Sequence, residues 1–310
     1  MKVVITGSSG LIGSALIPAL TAADHEVVRL VRSAPKSNAS ASSPTPSRVF
    51  EAQWDPAQGT LSSAAREHLE SSDAVINLAG AGVGDHRWSD SYKNEIRSSR
   101  IHATATISLA MAACAHKPTV LVSSSAIGYY GDTGDVAVDE AARPGVGFLA
   151  DVCRDWETAA DPAREAGIRV VHPRTGLVMT RKGGALAKLI PIFRAGAGGR
   201  LGSGKQWWSH ISLRDEIAAL TWLLTADVHG PVNLTAPEPA RNSEVTATLA
   251  RLVHRKAFFP VPSAAMKIAL GEFSGDVLGS QRVLPTVLTN AGFTFTDPTI
   301  ADSLAAALQD

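Results

Sequence analysis

The residues that could do chemistry in this chain fall into three short groups. The first is Gly7, Gly10 and Gly13, spaced in Ile5-Thr6-Gly7-Ser8-Ser9-Gly10-Leu11-Ile12-Gly13. That spacing lets a chain turn tightly off a strand, brings backbone N–H groups up to a pyrophosphate, and packs a helix closely on the strand. Gly7, Ser8, Ser9, Gly10, Leu11 and Ile12 are therefore candidate cofactor contacts. Three glycines alone are a weak signal; a preceding strand and a following helix strengthen it. The second group is Arg32, just past the apolar run Val27–Val31, with Lys36 soon after. A carboxylate there would take a ribose 2′-hydroxyl, whereas a guanidinium pairs bidentately with a 2′-phosphate, which points to NADP(H). Read by itself, Arg32 is either that partner or a cap on an exposed strand end. The third group is Ser123-Ser124-Ser125 followed by Tyr129-Tyr130. Ser125 could hydrogen-bond a substrate oxygen and Tyr130 could move a proton. Serines at a strand end also serve simply to satisfy backbone groups.

These groups need elements to hold them. Short, nearly continuous apolar runs at Val3–Thr6, Val27–Val31, Val49–Trp54, Ala74–Leu78, Val120–Ser123 and Arg169–His172 read as strands buried on both faces. Helical patterns at Leu11–Ala22, Leu61–Leu69, Ser91–Ala115 and Phe148–Ala166 alternate with them, as in a parallel sheet with crossover helices. The stretch Ser33–Ser47, rich in Ser and Pro, reads as an exposed loop. Beyond residue 174 the pattern changes. Gly183 to Gly204 is glycine-dense and reads as a long loop or lid, Ile211–Leu224 and Glu244–Val253 as helices, and Val232–Thr235 as a short strand. The tail from Val261 reads as helical and ends in Ile300–Leu308. The expected architecture is α/β, a Rossmann-type doubly wound parallel sheet with a smaller, mostly helical C-terminal substrate lobe. Residues 1–174 would bind the dinucleotide, with parts of 213–235 returning to that domain, and 175–310 would form the lobe, without a sheet of its own.

Composition narrows the class. The chain has 310 residues, with Lys+Arg 29 against Asp+Glu 29 and a formal net charge of zero. Neither a basic excess nor a basic run is present, which argues against a nucleic-acid partner. Two cysteines, Cys114 and Cys153, make neither a disulfide framework nor a four-cysteine zinc site. The histidines show no metal-ligand spacing, so no metal is expected. With no run of ~18 apolar residues and no signal-peptide pattern, the expectation is a cytoplasmic protein with a small-molecule substrate and no membrane contact.

Thr6-Gly7-Ser8-Ser9-Gly10-Leu11-Ile12-Gly13, Asn77-Leu78-Ala79-Gly80, and Ser123-Ser124-Ser125 with Tyr129-Tyr130-Gly131 resemble an extended short-chain dehydrogenase/reductase. More narrowly, the chain resembles the atypical branch of epimerase family proteins, related to nucleotide-sugar epimerases. Leu284-Pro285 and Gly292-Phe293-Thr294-Phe295 are similar to that branch's C-terminal domain of unknown function. The resemblance implies that Leu78, Ala79 and Gly80 lie beside the adenine ribose, that Arg100 reaches the phosphates, and that Ser123 and Leu177 border the cofactor. By its residue type alone, Arg100 reads equally as a surface helix charge. The resemblance leaves room for a homodimer.

It also exposes a gap. In the superfamily a Tyr, its pKa lowered by a Lys four residues later, moves the proton. Here the residues four after Tyr92, Tyr129 and Tyr130 are Ile96, Thr133 and Gly134. On the helix that should carry the pair, the Tyr position is Phe148 or Leu149 and the Lys position Val152 or Cys153. Ser125 remains, with Tyr130 as the nearest phenol, expected near the ordinary pKa of ~10; Asp151 is a spare carboxylate. Gly199-Arg200-Leu201-Gly202-Ser203-Gly204-Lys205 has the spacing of a P-loop, but Gln206 and Trp207-Trp208 follow where Ser/Thr and a helix are needed. The same stretch resembles the branch's segment ending in Trp-Ile-His, which reads His210-Ile211-Ser212 here. Two functions follow: an NADP-dependent oxidoreductase or epimerase acting on a small polar substrate such as a nucleotide sugar, or a non-catalytic NADPH-binding redox sensor.

Overall fold

Strands apolar at every position must be covered on both faces, and the central strands of this chain are, whereas Val49–Asp55, expected to be buried on both faces, has Ala52 and Trp54 buried and Gln53 and Asp55 exposed. The computed structural model describes residues 1–33 and 48–310. The main sheet has nine strands: β1 (Lys2–Thr6), β2 (Glu26–Val31), β3 (Val49–Asp55), β4 (Thr60–Leu61), β5 (Ala74–Asn77), β6 (Val120–Ser123), β7 (Ser125–Ala126), β8 (Arg169–Thr175) and β9 (Gly230–Leu234). Their order is β9-β8-β6-β5-β1-β2-β3-β4, with β7 beside β8. All pairings are parallel except the β3–β4 hairpin. The chain order reverses between β1 and β5. In open α/β sheets ligands bind at such a reversal, beyond the carboxyl ends of the strands.

The helices in chain order begin with α1 (Leu11–Ala22), α2 (Ser63–Glu70), α3 (Asp90–Ala113), α4 (Phe148–Thr158) and α5 (Asp161–Glu165). There follow α6 (Gly184–Arg194), α7 (Leu213–Trp222) and α8 (Asn242–Leu252). Side-chain alternation along β1 shows how the layers form. Val3 and Ile5 face α1 and α7, packing with Leu16, Leu20, Leu220 and Leu223, while Val4 faces α2, α3 and α5, packing with Leu69, Ile107 and Ala163. The architecture is a doubly wound Rossmann α/β fold. A separate core, including Leu186, Phe193, Trp208, Leu249 and Leu304, holds the C-terminal lobe.

Several expectations are corrected. The stretch 183–204 is not one long loop, because α6 fills half of it with Leu186, Ile190 and Phe193 buried at helical spacing. Glycines on both sides mask an ordinary amphipathic stripe. The helix expected over 148–166 is two, α4 and α5, with Pro162 in the first turn of α5. The helix expected from Ile211 starts only after a strand, His210–Ser212, and Ser212 caps α7 by accepting from the Asp215 N–H at 3.0 Å. The part beyond 174 also has short strand pairings of its own: Leu177–Met179 with His210–Ser212, and Trp207–Trp208 with Ala240–Arg241. Lys36 lies outside the described residues, with all of 34–47.

Candidate functional site

At the sheet reversal the glycines sit where nothing larger fits. Gly7 has φ +63°, and a Cβ on it would lie 2.5 Å from the Leu78 carbonyl. A Cβ on Gly13 would lie 2.5 Å from the Gly7 carbonyl oxygen, so α1 packs directly on the turn. Gly10 is the N-cap of α1, and no side chain caps that helix. Its first-turn N–H groups are thus left for an anion. Gly183 closes the loop from the lobe side, since a Cβ there would meet the Leu11 side chain at 3.1 Å.

On the opposite wall Leu78, Ala79 and Gly80 follow β5, half-buried to exposed. Arg100 of α3 reaches this wall instead of standing free in solvent. Its Nη1 donates to the Ala81 carbonyl at 2.8 Å, and its side chain lies against Gly80, over the Trp156 ring at 4.9 Å. Ser99 accepts from the Ala81 N–H at 3.1 Å, pinning the same loop. Arg32 stands exposed one residue past β2, its carbonyl accepting from the Gln53 side chain at 3.4 Å. Arg29, three residues earlier, was not legible as a site residue. It donates to Ser8 Oγ at 3.1 Å and to Glu51 Oε1 at 2.7 Å, tying the glycine loop to β3.

Below the crevice lies a buried polar web. Thr6 donates to Asn77 Oδ1 at 2.6 Å, and Asn77 Nδ2 donates to Thr104 at 2.8 Å and to Ser123 at 3.3 Å. Trp156 Nε1 donates to Thr104 at 2.9 Å. The Ser123 hydroxyl therefore belongs to the floor that joins β1, β5, β6, α3 and α4.

The structure settles the register of α4. A Cβ on Gly128, in the turn after β7, would meet Leu149 at 3.3 Å and Cys153 Sγ at 3.7 Å. Leu149 and Cys153 thus face that turn, and Leu149 also joins Phe148 and Val152 in the cluster with Trp88 and Ile96. Burial pushes the Cys153 thiol up to about 12. Leu149 has no proton to exchange, and a thiol raised that far keeps its proton at neutral pH.

Ser125 and Tyr130 are brought together through two residues between them. Ser125 donates to Glu157 Oε1 at 2.7 Å; Arg174 grips Glu157 bidentately at 2.8 and 2.9 Å. Arg174 Nη1 also donates to the Tyr130 hydroxyl at 2.9 Å, and that hydroxyl donates to Asn233 Oδ1 at 2.7 Å. Ser125 is 3% exposed, Tyr130 4% and Arg174 3%. Burial pushes the Tyr130 phenol up to about 12, against the pull of Arg174, which corrects the expectation of an ordinary phenol. Tyr129 is the half-buried phenol of the pair, with the Arg174 guanidinium 3.4 Å from its ring centroid. Asp151 is partly exposed and pairs with Arg154 at 2.8 Å on the same helix.

From the lobe side, Leu177 is half-buried and its N–H donates to the Ser209 carbonyl at 2.9 Å. His210, in the first position of the branch's Trp-Ile-His, is fully buried, and burial holds its imidazole down at about 4. Glu216 in the first turn of α7 is fully buried too; it accepts from Thr175 Oγ1 at 2.9 Å, and burial pushes its carboxyl up to about 8. The P-loop spacing at 199–205 leads into the strand Trp207–Trp208 and no helix. No cluster of three or more His, Cys, Asp or Glu that could hold a metal occurs among the described residues. Among them, no helix is long and apolar enough to cross a membrane.

Comparison with known proteins agrees with this geometry. The model of the NAD dependent epimerase/dehydratase family matches residues 3–235, and a domain of unknown function, DUF1731, matches 261–307. An epimerase family protein of Mycobacterium bovis is 44% identical over 98% of this chain and 97% of its own length. A chloroplastic epimerase family protein of Arabidopsis thaliana is 38% identical over 100% of this chain and 87% of its own. The crystal structure of the human epimerase family protein SDR39U1 with NADPH superposes with TM-score 0.84 at 29% identity, covering 100% of both chains. UDP-glucuronic acid 4-epimerase of Bacillus cereus, at 19% identity and TM-score 0.77, shares the fold. The chain belongs to the NAD dependent epimerase/dehydratase family.

Proposed function

We propose that the protein binds NADP(H) at the sheet reversal and carries out hydride chemistry on a small polar substrate held between the sheet and the C-terminal lobe. The complete cradle carries this reading: Gly7, Gly10 and Gly13 packed against β5, an uncapped α1 N-terminus, Arg100 on the far wall and Arg32 at the end of β2. The NADPH in the human relative supports the same cofactor, and the UDP-glucuronic acid named for the Bacillus cereus enzyme supports a nucleotide sugar as substrate class. When bound, the cofactor supplies the hydride. This chain's residues orient it and exclude water, with Ser125 and Tyr130 as the polar groups proposed to bear on the substrate oxygen.

Arg32 is expected to set cofactor choice. A bidentate phosphate contact is worth roughly 1.5–3 kcal/mol, or about one to two decades in affinity. NADPH should bind that much more tightly than NADH, and Arg32→Ala should erase the preference while NADH binding holds. Fluorescence titration measures both, and equal affinities in the unmutated protein would remove the assignment.

One observation favours a second reading, an NADPH-binding redox sensor without turnover. Leu149 and Cys153 stand where a Tyr and Lys are needed, and the Ser125 and Tyr130 hydroxyls are already committed to Glu157 and Asn233. Mixing the NADPH-loaded protein with carbonyl compounds, and the NADP+-loaded protein with nucleotide sugars, separates the two. On the catalytic reading, NADPH absorbance falls with a carbonyl substrate, or a nucleotide sugar is oxidised or epimerised, and Ser125→Ala lowers kcat by roughly tenfold or more without changing cofactor affinity. Tight NADPH binding with no cofactor turnover and no altered sugar across the panel selects the sensor.

A further inference from the structure

The C-terminal lobe carries a groove that the cofactor site leaves unused. It has a volume of about 680 Å³ and runs along α8 and the segment after it. Arg200, Arg251, Arg255 and Lys256 line it, and no carboxylate does. None of these four cations makes an ion pair among the described residues, whereas Arg29 and Arg174 elsewhere have their carboxylates at 2.7 and 2.8 Å. The chain as a whole has zero formal net charge, so the local excess is not general basicity. Like charges gathered on one concave wall repel one another and focus a positive potential into the groove. Arg255 is held in place by its Nε donating to the Arg194 carbonyl at 3.0 Å. Beside the cations, Phe258 is 71% exposed, with the Lys256 ammonium 5.5 Å from its ring centroid. An exposed aromatic face costs hydration and offers a planar ring a stacking surface. The volume is that of an ordinary small-molecule site, for which about 300–1,000 Å³ is usual.

We propose that this groove is a second ligand site, taking a small molecule with two or more phosphates and a planar ring, in chemical class a nucleoside di- or triphosphate. The cations hold the phosphates and Phe258 stacks on the ring. The groove shares no lining residue with the dinucleotide cradle.

Calorimetry on the full chain tests this, with ADP and inorganic tripolyphosphate titrated with and without saturating NADPH at about 0.15 M salt. With NADPH bound, one ADP per chain is expected; without it ADP also enters the cradle through its own pyrophosphate and adenosine, and should the cradle reading be wrong the single lobe site is seen in both conditions. The surface double variant Arg251→Glu with Lys256→Glu should weaken ADP and tripolyphosphate by roughly tenfold or more while NADPH affinity and thermal midpoint hold. Phe258→Ala should weaken ADP but leave tripolyphosphate unchanged. The proposal fails if neither probe binds, if the double variant binds ADP in the presence of NADPH as before, or if saturating NADPH abolishes ADP binding. It also fails if Phe258→Ala leaves ADP untouched, which would leave a bare anion patch, or if only anionic phospholipid vesicles bind, which would make it a membrane surface.

Discussion

Arg174→Met is expected to cost about 3–5 kcal/mol of stability, the usual price of leaving one partner of a buried ion pair behind. The reason lies in the contacts. Arg174 is 3% exposed and holds Glu157 at two points, carries Tyr130's hydroxyl on a third N–H, and lies flat against the Tyr129 ring. Removing it strands the Glu157 carboxylate, whose side chain is 14% exposed, with Ser125 alone among the described residues to answer it. In a chain of this length the midpoint of thermal unfolding should fall by roughly 5–10 °C. The double variant Arg174→Met with Glu157→Met should recover part of the loss, because two apolar side chains replace the pair without an orphaned charge. A single-variant loss under about 1 kcal/mol would mean that water already satisfies the pair.

The second large effect is a pH dependence traced to Glu216. Its folded-state carboxyl is raised by burial to about 8, from an ordinary value of 4.5. The folded protein therefore holds the proton over a range in which the unfolded chain has released it. The stability this proton confers is present below pH ~4.5 and is lost progressively as pH rises toward ~8. Between pH 5 and pH 8 the loss is about 3 kcal/mol by the linkage relation, or roughly 5 °C in midpoint for a chain of this length. Glu216→Gln keeps an acceptor for Thr175 and has nothing to titrate. Its midpoint should match the parent near pH 5 and exceed it near pH 8; parallel pH profiles for the two proteins would refute the assignment.

The parts of the site most legible in the sequence were those written in contiguous residues. The glycine loop, the strand before it and the helix after it occupy one stretch, and each glycine has a steric reason that spacing alone reveals. The Leu149/Cys153 register was not legible, because both candidate pairs on α4 are apolar and only the Gly128 turn decides which faces the strands. Glu157 and Arg174 were missed for a different cause. They lie 17 residues apart on a helix and a strand, so their partnership is a product of packing. A signal was present: Glu157 follows Cys153 by one helical turn, on the face that the register makes inward, and Arg174 stands next to the last residue of β8, at the carboxyl end of the sheet. Arg29 escaped notice because alternation along β2 gives it no partner until Ser8 turns back over it.

The return of the chain to its first sheet has a consequence for how the protein is made. Val232 and Leu234 of β9, with Leu213 and Leu220 of α7 and Leu223 at its C-terminal cap, share one buried cluster with Val3, Ile5 and Val27. A nascent chain that has just emitted β8 has therefore assembled the glycine loop but leaves one sheet edge open and part of one face bare. Unpaired edges and uncovered apolar faces are where growing chains associate with one another. The segment from Gly176 to Ser212, much of it in the lobe, must leave the ribosome before α7 and β9 can close that gap. The order of synthesis thus places cofactor-loop formation early and sheet completion late, with the lobe's first turns made during the exposed interval.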